Sequence, residues 1–242
     1  MDDASLALRP AEWLAPPDAS APPAAGWAGR LAAPCLVGLE LRGDDVPALW
    51  TALARVVAGE RSIHCLDSSN RFDPYRFSNW AREHGVDPMA LLERVFLSRA
   101  FTIHQFGAVV EELLPPLLAS EPRPLVVLLG ADELFLDEQV PRHERRHVFA
   151  SALRRLERLR ARGLSMLATV SPAGGRGPGV PDGRPWRDAL AAVASPMVRL
   201  ERLPDGRVRF APAGTGSGSP PPALRERPGA PRALPPVVID VL

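Results

Sequence analysis

Ser62-Ile-His-Cys-Leu-Asp-Ser-Ser-Asn-Arg-Phe-Asp-Pro-Tyr-Arg76 is the stretch that decides the fold. Ile63, Cys65 and Leu66 form a short apolar run that stops at Asp67. Ser68-Ser69-Asn70 is turn chemistry, and Pro74 suits the first turn of a helix. The stretch therefore reads as strand, turn and helix, with an acid closing the strand. Open α/β sheets bind ligands at the carboxyl ends of their strands, so function is sought around Asp67 and its neighbours.

The same alternation continues on both sides. Upstream, residues 35–41 read as a strand, Gly43-Asp44-Asp45-Val46 as a loop, and Pro47 as the start of a helix reaching about residue 59. Downstream, a helix runs to about residue 84, and Asp87-Pro88 opens a short one. Residues 95–98 are a strand, and a helix over about 104–118 turns Leu113, Leu114, Leu117 and Leu118 inward. Residues 124–129 are the most continuous apolar run, the mark of a central strand buried on both faces. A long arginine-rich helix spans about 141–162, with Phe149, Leu153, Leu156 and Leu159 as its buried stripe. A strand at 164–170, a Gly/Pro-rich loop at 171–185 and a short helix to 193 follow. Residues 197–203 and 207–211 flank Pro204-Asp205-Gly206, a hairpin signal. The fold class is α/β: a three-layer αβα core with a mainly parallel sheet and an antiparallel C-terminal hairpin.

The ends differ from the middle. Residues 1–32 are Ala/Pro-rich, an arm with Trp13 and Trp27 as its large anchors. Residues 33–211 hold the domain. Residues 212–242 are a Gly/Ser/Pro linker ending in apolar Val237-Val-Ile-Asp-Val-Leu242. That tail is expected to dock as a strand, either on a protein partner or back on this chain's own edge strand.

Composition narrows the functions. Of 242 residues, 46% are hydrophobic, and the net charge is +1, so any contact with nucleic acid needs a local patch. All 29 basic residues are arginine, which excludes a Schiff-base lysine or a phosphate-binding lysine. Cys35 and Cys65 form no CxxC pair and read as reduced core thiols. No leader pattern opens the chain and no apolar run reaches the roughly 18 residues of a membrane span, so a soluble cytoplasmic protein with no membrane contact is expected.

Over residues 33–211 the order of pieces resembles the RecA-type ATPase core, nearer its archaeal RadA branch. The residues that carry the resemblance are Leu66-Asp67 with Arg71-Phe-Asp-Pro-Tyr-Arg76, then Leu91-Leu-Glu-Arg-Val95, Ser98-Arg-Ala-Phe101 and His104-Gln105. Val126-Val-Leu-Leu-Gly-Ala-Asp-Glu-Leu-Phe135 completes the set. The resemblance implies a phosphate loop after the first strand. Such a loop needs glycines, a lysine on the terminal phosphates and a hydroxyl on magnesium. The matching positions Gly43, Asp44, Asp45, Val46 and Pro47 put a valine where the lysine belongs and a proline where the hydroxyl belongs. A carboxylate about 4 Å from a phosphate charge costs roughly 1 kcal/mol even in water. The resemblance also places the metal-holding acid at Leu129 and the catalytic glutamate at Ser69, with Asp132 read as a loop or cap residue rather than a displaced acid. The expectation is a RecA-like fold without ATP hydrolysis and without a cofactor.

Other candidates are weighed on their residues. His143-Glu144-Arg145-Arg146-His147 matches HExxH, in which two histidines one helical turn apart hold zinc and the glutamate is the base. Two arginines beside the metal and no third ligand speak against it. Arg142, Arg145 and Arg146 on the long helix, with Arg176 and Arg184 around the 171–185 loop, are the candidate single-stranded DNA contacts, in the places of the family's DNA-facing loops. Trp186 is expected to pack at a helix start. The functional expectation is a non-catalytic accessory or regulator in DNA repair and recombination. A zinc hydrolase and a protein-interaction module are the alternatives.

Overall fold

A computed structural model of the chain describes residues 31, 34–59, 61–172, 183–194, 196–202, 208–213 and 237–239. The N-terminal arm up to residue 30, most of the 171–185 loop, the Pro204-Asp205-Gly206 turn and the 214–236 linker lie outside the described residues. β1 (Leu36–Glu40) runs through a 3-10 turn (Gly43–Asp45) into α1 (Val46–Ala58). β2 (Ile63–Asp67) leads to α2 (Pro74–Glu83), the short α3 (Pro88–Leu92) and β3 (Val95–Arg99). α4 (Ile103–Ala108), a π-turn (Val109–Leu113) and α5 (Leu114–Ser120) precede β4 (Leu125–Leu129). A 3-10 turn (Glu133–Leu136) and α6 (Arg142–Ala161) lead to β5 (Ser165–Val170). α7 (Arg184–Val193), β6 (Met197–Arg202), β7 (Val208–Pro212) and β8 (Val237–Ile239) complete the order.

The strands form one eight-stranded sheet, ordered β3-β2-β4-β5-β1-β6-β7-β8. β1 to β6 pair in parallel, and β7 joins β6 and β8 antiparallel. The expected α/β fold with a C-terminal antiparallel element is what the chain adopts. Strand side chains alternate between two cores. Leu125, Val127 and Leu129 of β4 join Trp50, Leu53, Phe77 and Leu91 of α1 to α3. Val126 and Leu128 join Phe106, Phe149, Leu156 and Trp186 of α4, α6 and α7. β4 is buried along its whole length, as its unbroken apolar run predicts. Steps toward β3 cross on the first face and steps toward β6 on the second, the arrangement that right-handed crossovers impose.

Local chemistry sets the helix starts. Asp73 and Asp87 each accept a backbone N–H two residues on, and proline follows each of them. Thr102 caps α4 through Gln105 N, while Gln105 Oε1 accepts from Phe101 N, a reciprocal pair of the capping-box kind. The expected stripe Phe149, Leu153, Leu156 and Leu159 is buried on α6. Trp186 packs against Phe135 and Phe149, as expected.

One helix departs from expectation. The segment over 104–118 was expected to bury Leu113, but Leu113 is 55% exposed. The inward residues are Ile103, Phe106, Val110 and Leu114. The π-turn inserts an extra residue into the helical repeat and rotates everything after it. Leu114 stays inside and Leu117 is only half-buried.

Candidate functional site

The strands that exit toward opposite faces lie side by side at β3/β2, at β2/β4 and at β5/β1. The carboxyl ends there are the crest at which a ligand would be sought. Asp67 stands at the centre of the crest, fully buried. Its carboxylate accepts four hydrogen bonds, from Ser69 N (3.0 Å), Ser69 Oγ (3.1 Å), Arg71 N (3.3 Å) and Phe72 N (3.0 Å). Asn70, at φ 54°, supplies the left-handed residue that folds the turn around it. The acid that ends the strand is thus spent on its own turn.

The neighbouring ends are bonded together in the same way. Ser68 N donates to Leu129 O at 2.9 Å. Gly130 N donates to Thr169 Oγ1 at 2.8 Å, and Ala131 N to Thr169 O at 2.8 Å. Leu41 N donates to Val170 O at 2.9 Å. Gly130 sits at φ 68°, and a side chain there would place its Cβ 2.7 Å from Ser69 Cβ. The β2 and β4 turns therefore touch, and an Arg71–Glu133 ion pair of 3.0 Å spans them.

Asp132 is fully buried, but its role differs from the expected cap. It makes no side-chain cap bond to the 3-10 turn, and its carboxylate accepts from Ser171 N at 3.2 Å. It ties the end of β4 to the end of β5. Glu40 closes β1 in an ion pair with Arg187 of α7, both largely buried.

The loop that the resemblance compares with a phosphate cradle is short and helical. Gly43-Asp44-Asp45 make one 3-10 turn, Val46 and Pro47 follow in the first turn of α1, and Asp45 N donates to Arg42 O at 3.0 Å. Asp45 is buried and Arg42 is exposed. Asp44 is the turn's exposed carboxylate, and the turn carries no cationic side chain of its own.

The other candidates separate. His104 Nε2 lies 3.1 Å from Glu144 Oε1, so the glutamate of HERRH is paired across to α4. His143 and His147 are exposed, and among the described residues no three His, Cys, Asp or Glu groups converge on a metal position. Arg145 is half-buried and donates to Phe135 O at 2.9 Å, which makes it a support for the 3-10 turn rather than a free contact. Arg142 and Arg146 are exposed at the start of α6, on the crest side of the sheet. Arg184 opens α7, and Arg176 lies outside the described residues. The Cys65 thiol is buried and burial pushes its pKa up, consistent with an inert core thiol.

Three groups carried no signal in the sequence. Arg61 is buried just before β2 and donates to Leu31 O (2.7 Å), Arg123 O (3.0 Å) and Pro124 O (3.4 Å). Burial lowers its pKa from the ordinary arginine value. His64 pairs with Glu121 at 3.0 Å and stacks on Phe96 at 4.6 Å. Ser62 donates to the same Glu121 rather than to the imidazole, so the trio is not a nucleophile–base pair. Burial alone would raise the Glu121 pKa. The hydrogen bonds from Ser62 and His64, with the His64 charge, outweigh burial and set it below the ordinary glutamate value.

Away from the crest, a shallow polar hollow of about 140 Å³ lies between α1 and α2, lined by Thr51, Arg55, Arg76 and Trp80 among others. Among the described residues, β3 forms one flank of the sheet with no strand outside it. Phe96 and Leu97 on β3 are 47% and 40% exposed, and Phe101 just beyond is 68% exposed. Among the described residues, no helix is long and apolar enough to cross a membrane. No protein-family model matches this chain, and no curated protein matches it either.

Proposed function

We propose that the chain is a non-catalytic RecA-like accessory or regulatory protein of DNA repair and recombination, working through protein contacts and weak single-stranded DNA binding. The observation that carries the non-catalytic part is the closed crest. Asp67 is consumed by four internal hydrogen bonds, and Gly130 lies against Ser69. A nucleotide there would meet the exposed Asp44 with no lysine to answer its charge. The exposed Arg142 and Arg146 at the head of α6 supply the DNA part of the reading.

The test is a pair of titrations. A fluorescent ATP analogue with magnesium should show no saturable binding at micromolar concentration, and such binding would overturn the reading. Labelled single-stranded DNA should bind in low salt, weaken steeply as salt rises, and lose several-fold affinity in Arg142→Ala/Arg146→Ala. Retention that ignores salt would favour the second reading, a protein-interaction module with no nucleic acid. The open β3 flank supports that alternative. Its backbone and the exposed Phe96, Leu97 and Phe101 suit an extended segment of another protein.

A further inference from the structure

The two flanks of the sheet end differently. On one side the chain's own tail is the last strand, with Val237–Ile239 paired antiparallel to β7, so the docking expected of that tail is made in cis. On the other side lies β3, which among the described residues has no strand outside it. We infer that this β3 edge is a homodimer interface, at which two copies of the chain pair their β3 strands antiparallel about a two-fold axis at Leu97.

Three observations carry this. First, the backbone of β3 has a defined outward row. Ile63 N donates to Arg94 O at 2.8 Å and Ala100 N donates to Asp67 O at 3.2 Å, in a register that runs from Ile63↔Val95 to Asp67↔Arg99 without a bulge. Residues 94, 96, 98 and 100 therefore turn their backbone groups toward β2, and Val95, Leu97 and Arg99 turn theirs away from it. An antiparallel pairing centred on Leu97↔Leu97 also sets Val95 against Arg99 at both ends, so it uses the N–H and C=O of all three. No proline or bulge blunts this edge. Second, apolar surface gathers here. Among the described residues, four of the six exposed large apolar side chains, Met89, Phe96, Leu97 and Phe101, lie within residues 89–101. In the two-fold register Leu97 meets Leu97, and each Phe96 lies opposite Ser98 of the other copy. Phe101 falls at Glu93 of the other copy, one helical turn from Met89. Third, the charges are self-complementary. Glu93 and Arg99 are exposed at opposite ends of β3, and neither side chain has an ion-pair partner among the described residues. Antiparallel pairing brings Arg99 of each copy diagonal to Glu93 of the other, within reach of a long side chain, and symmetry does so twice. An in-register parallel pairing would set like charge against like, so the charges select the two-fold arrangement. The contact is small, so the copies associate weakly and are apart in dilute solution. The inference goes beyond both readings above, since it calls for neither nucleic acid nor a second kind of protein.

The experiment follows the mass of the full chain against concentration by sedimentation. The wild type should rise from the monomer toward twice its mass across the micromolar range. Leu97→Pro removes an outward N–H and no bond to β2, so it should keep its circular dichroism spectrum and stay monomeric. Arg99→Glu sets like charges together and should weaken association several-fold. Glu93→Arg/Arg99→Glu should restore it, a rescue that a merely structural role would not give. Hydrogen exchange on the wild type gives a second reading that needs no variant. The amides of Val95, Leu97 and Arg99 should exchange freely in dilute solution and become protected on concentration, while those of Phe96 and Ser98 stay protected throughout. A wild type that is monomeric at the highest concentration, or a dimer that either Leu97→Pro or Arg99→Glu leaves intact, overturns the inference. Protection of the three outward amides at every concentration would mean that the edge is already covered within one chain, and overturns it too.

Discussion

The crest and the β3 flank treat the same kind of atoms in opposite ways. At the crest, most polar groups of the strand ends satisfy one another, with the buried Ser68 Oγ left over. Asp67 serves its own turn, Thr169 holds the Gly130 and Ala131 amides, and Asp132 holds Ser171. At the flank, among the described residues, β3 leaves one row of backbone groups without a strand, and Phe96 and Leu97 are partly exposed there. Buried polar groups without partners are costly, so these mutual bonds hold the strand ends together. An edge strand without a cover is a liability unless something docks there.

Removing the crest's central acceptor should give the largest effect. Asp67→Ala strands three backbone donors and one hydroxyl in the interior. It should cost about 3–4 kcal/mol in urea unfolding. Asp67→Asn, which keeps one acceptor oxygen, should cost about half as much. If both variants unfold like the wild type, the crest is not the keystone described here.

Gly130→Ala comes next. A methyl group must enter at positive φ and within 2.7 Å of Ser69 Cβ, so a loss of about 2 kcal/mol is expected. Pairing it with Ser69→Gly should recover part of that loss if contact rather than backbone strain dominates. At the flank the expected result reverses. Leu97→Asp/Phe101→Asp should shift stability by no more than about 0.5 kcal/mol, because both side chains already face water. Binding of a dye that reports exposed apolar surface should fall several-fold. A large stability loss would show that the flank is core rather than an open edge.

The smallest effect is a pH dependence beside the flank. The folded Glu121 pKa lies below its unfolded value because Ser62 and His64 hydrogen-bond the carboxylate. Its stabilisation is therefore present above the unfolded value of about 4.3 and is lost as pH falls through the lower folded value. Glu121→Gln should flatten the stability curve in that acid window and leave it unchanged in shape at neutral pH. Thermal melts from pH 3 to pH 7 read this directly.

The sheet was legible because strands and helices announce themselves locally. The apolar run of β4, the stop at Asp67 and the prolines opening α1, α2 and α3 all act within a few residues. What Asp67 does was not legible, because its donors converge only once Asn70 adopts φ 54°. The π-turn was invisible for a related reason: Leu113 and Leu114 are alike in sequence, and only packing decides which faces in. The cis pairing of β8 could be posed as one of two options but not chosen, since its partner lies across the linker. Arg145 looks like Arg142 and Arg146 in sequence, yet it is bound to Phe135 O.

Arg61 carries a consequence for the order of assembly. Its guanidinium needs carbonyls from Leu31, 30 residues back, and from Arg123 and Pro124, 62 and 63 residues ahead. A permanent cation cannot be left half-solvated in the interior, so these contacts become worthwhile only together. The lock closes after β2 and β4 have found each other, late on the route from coil to native chain.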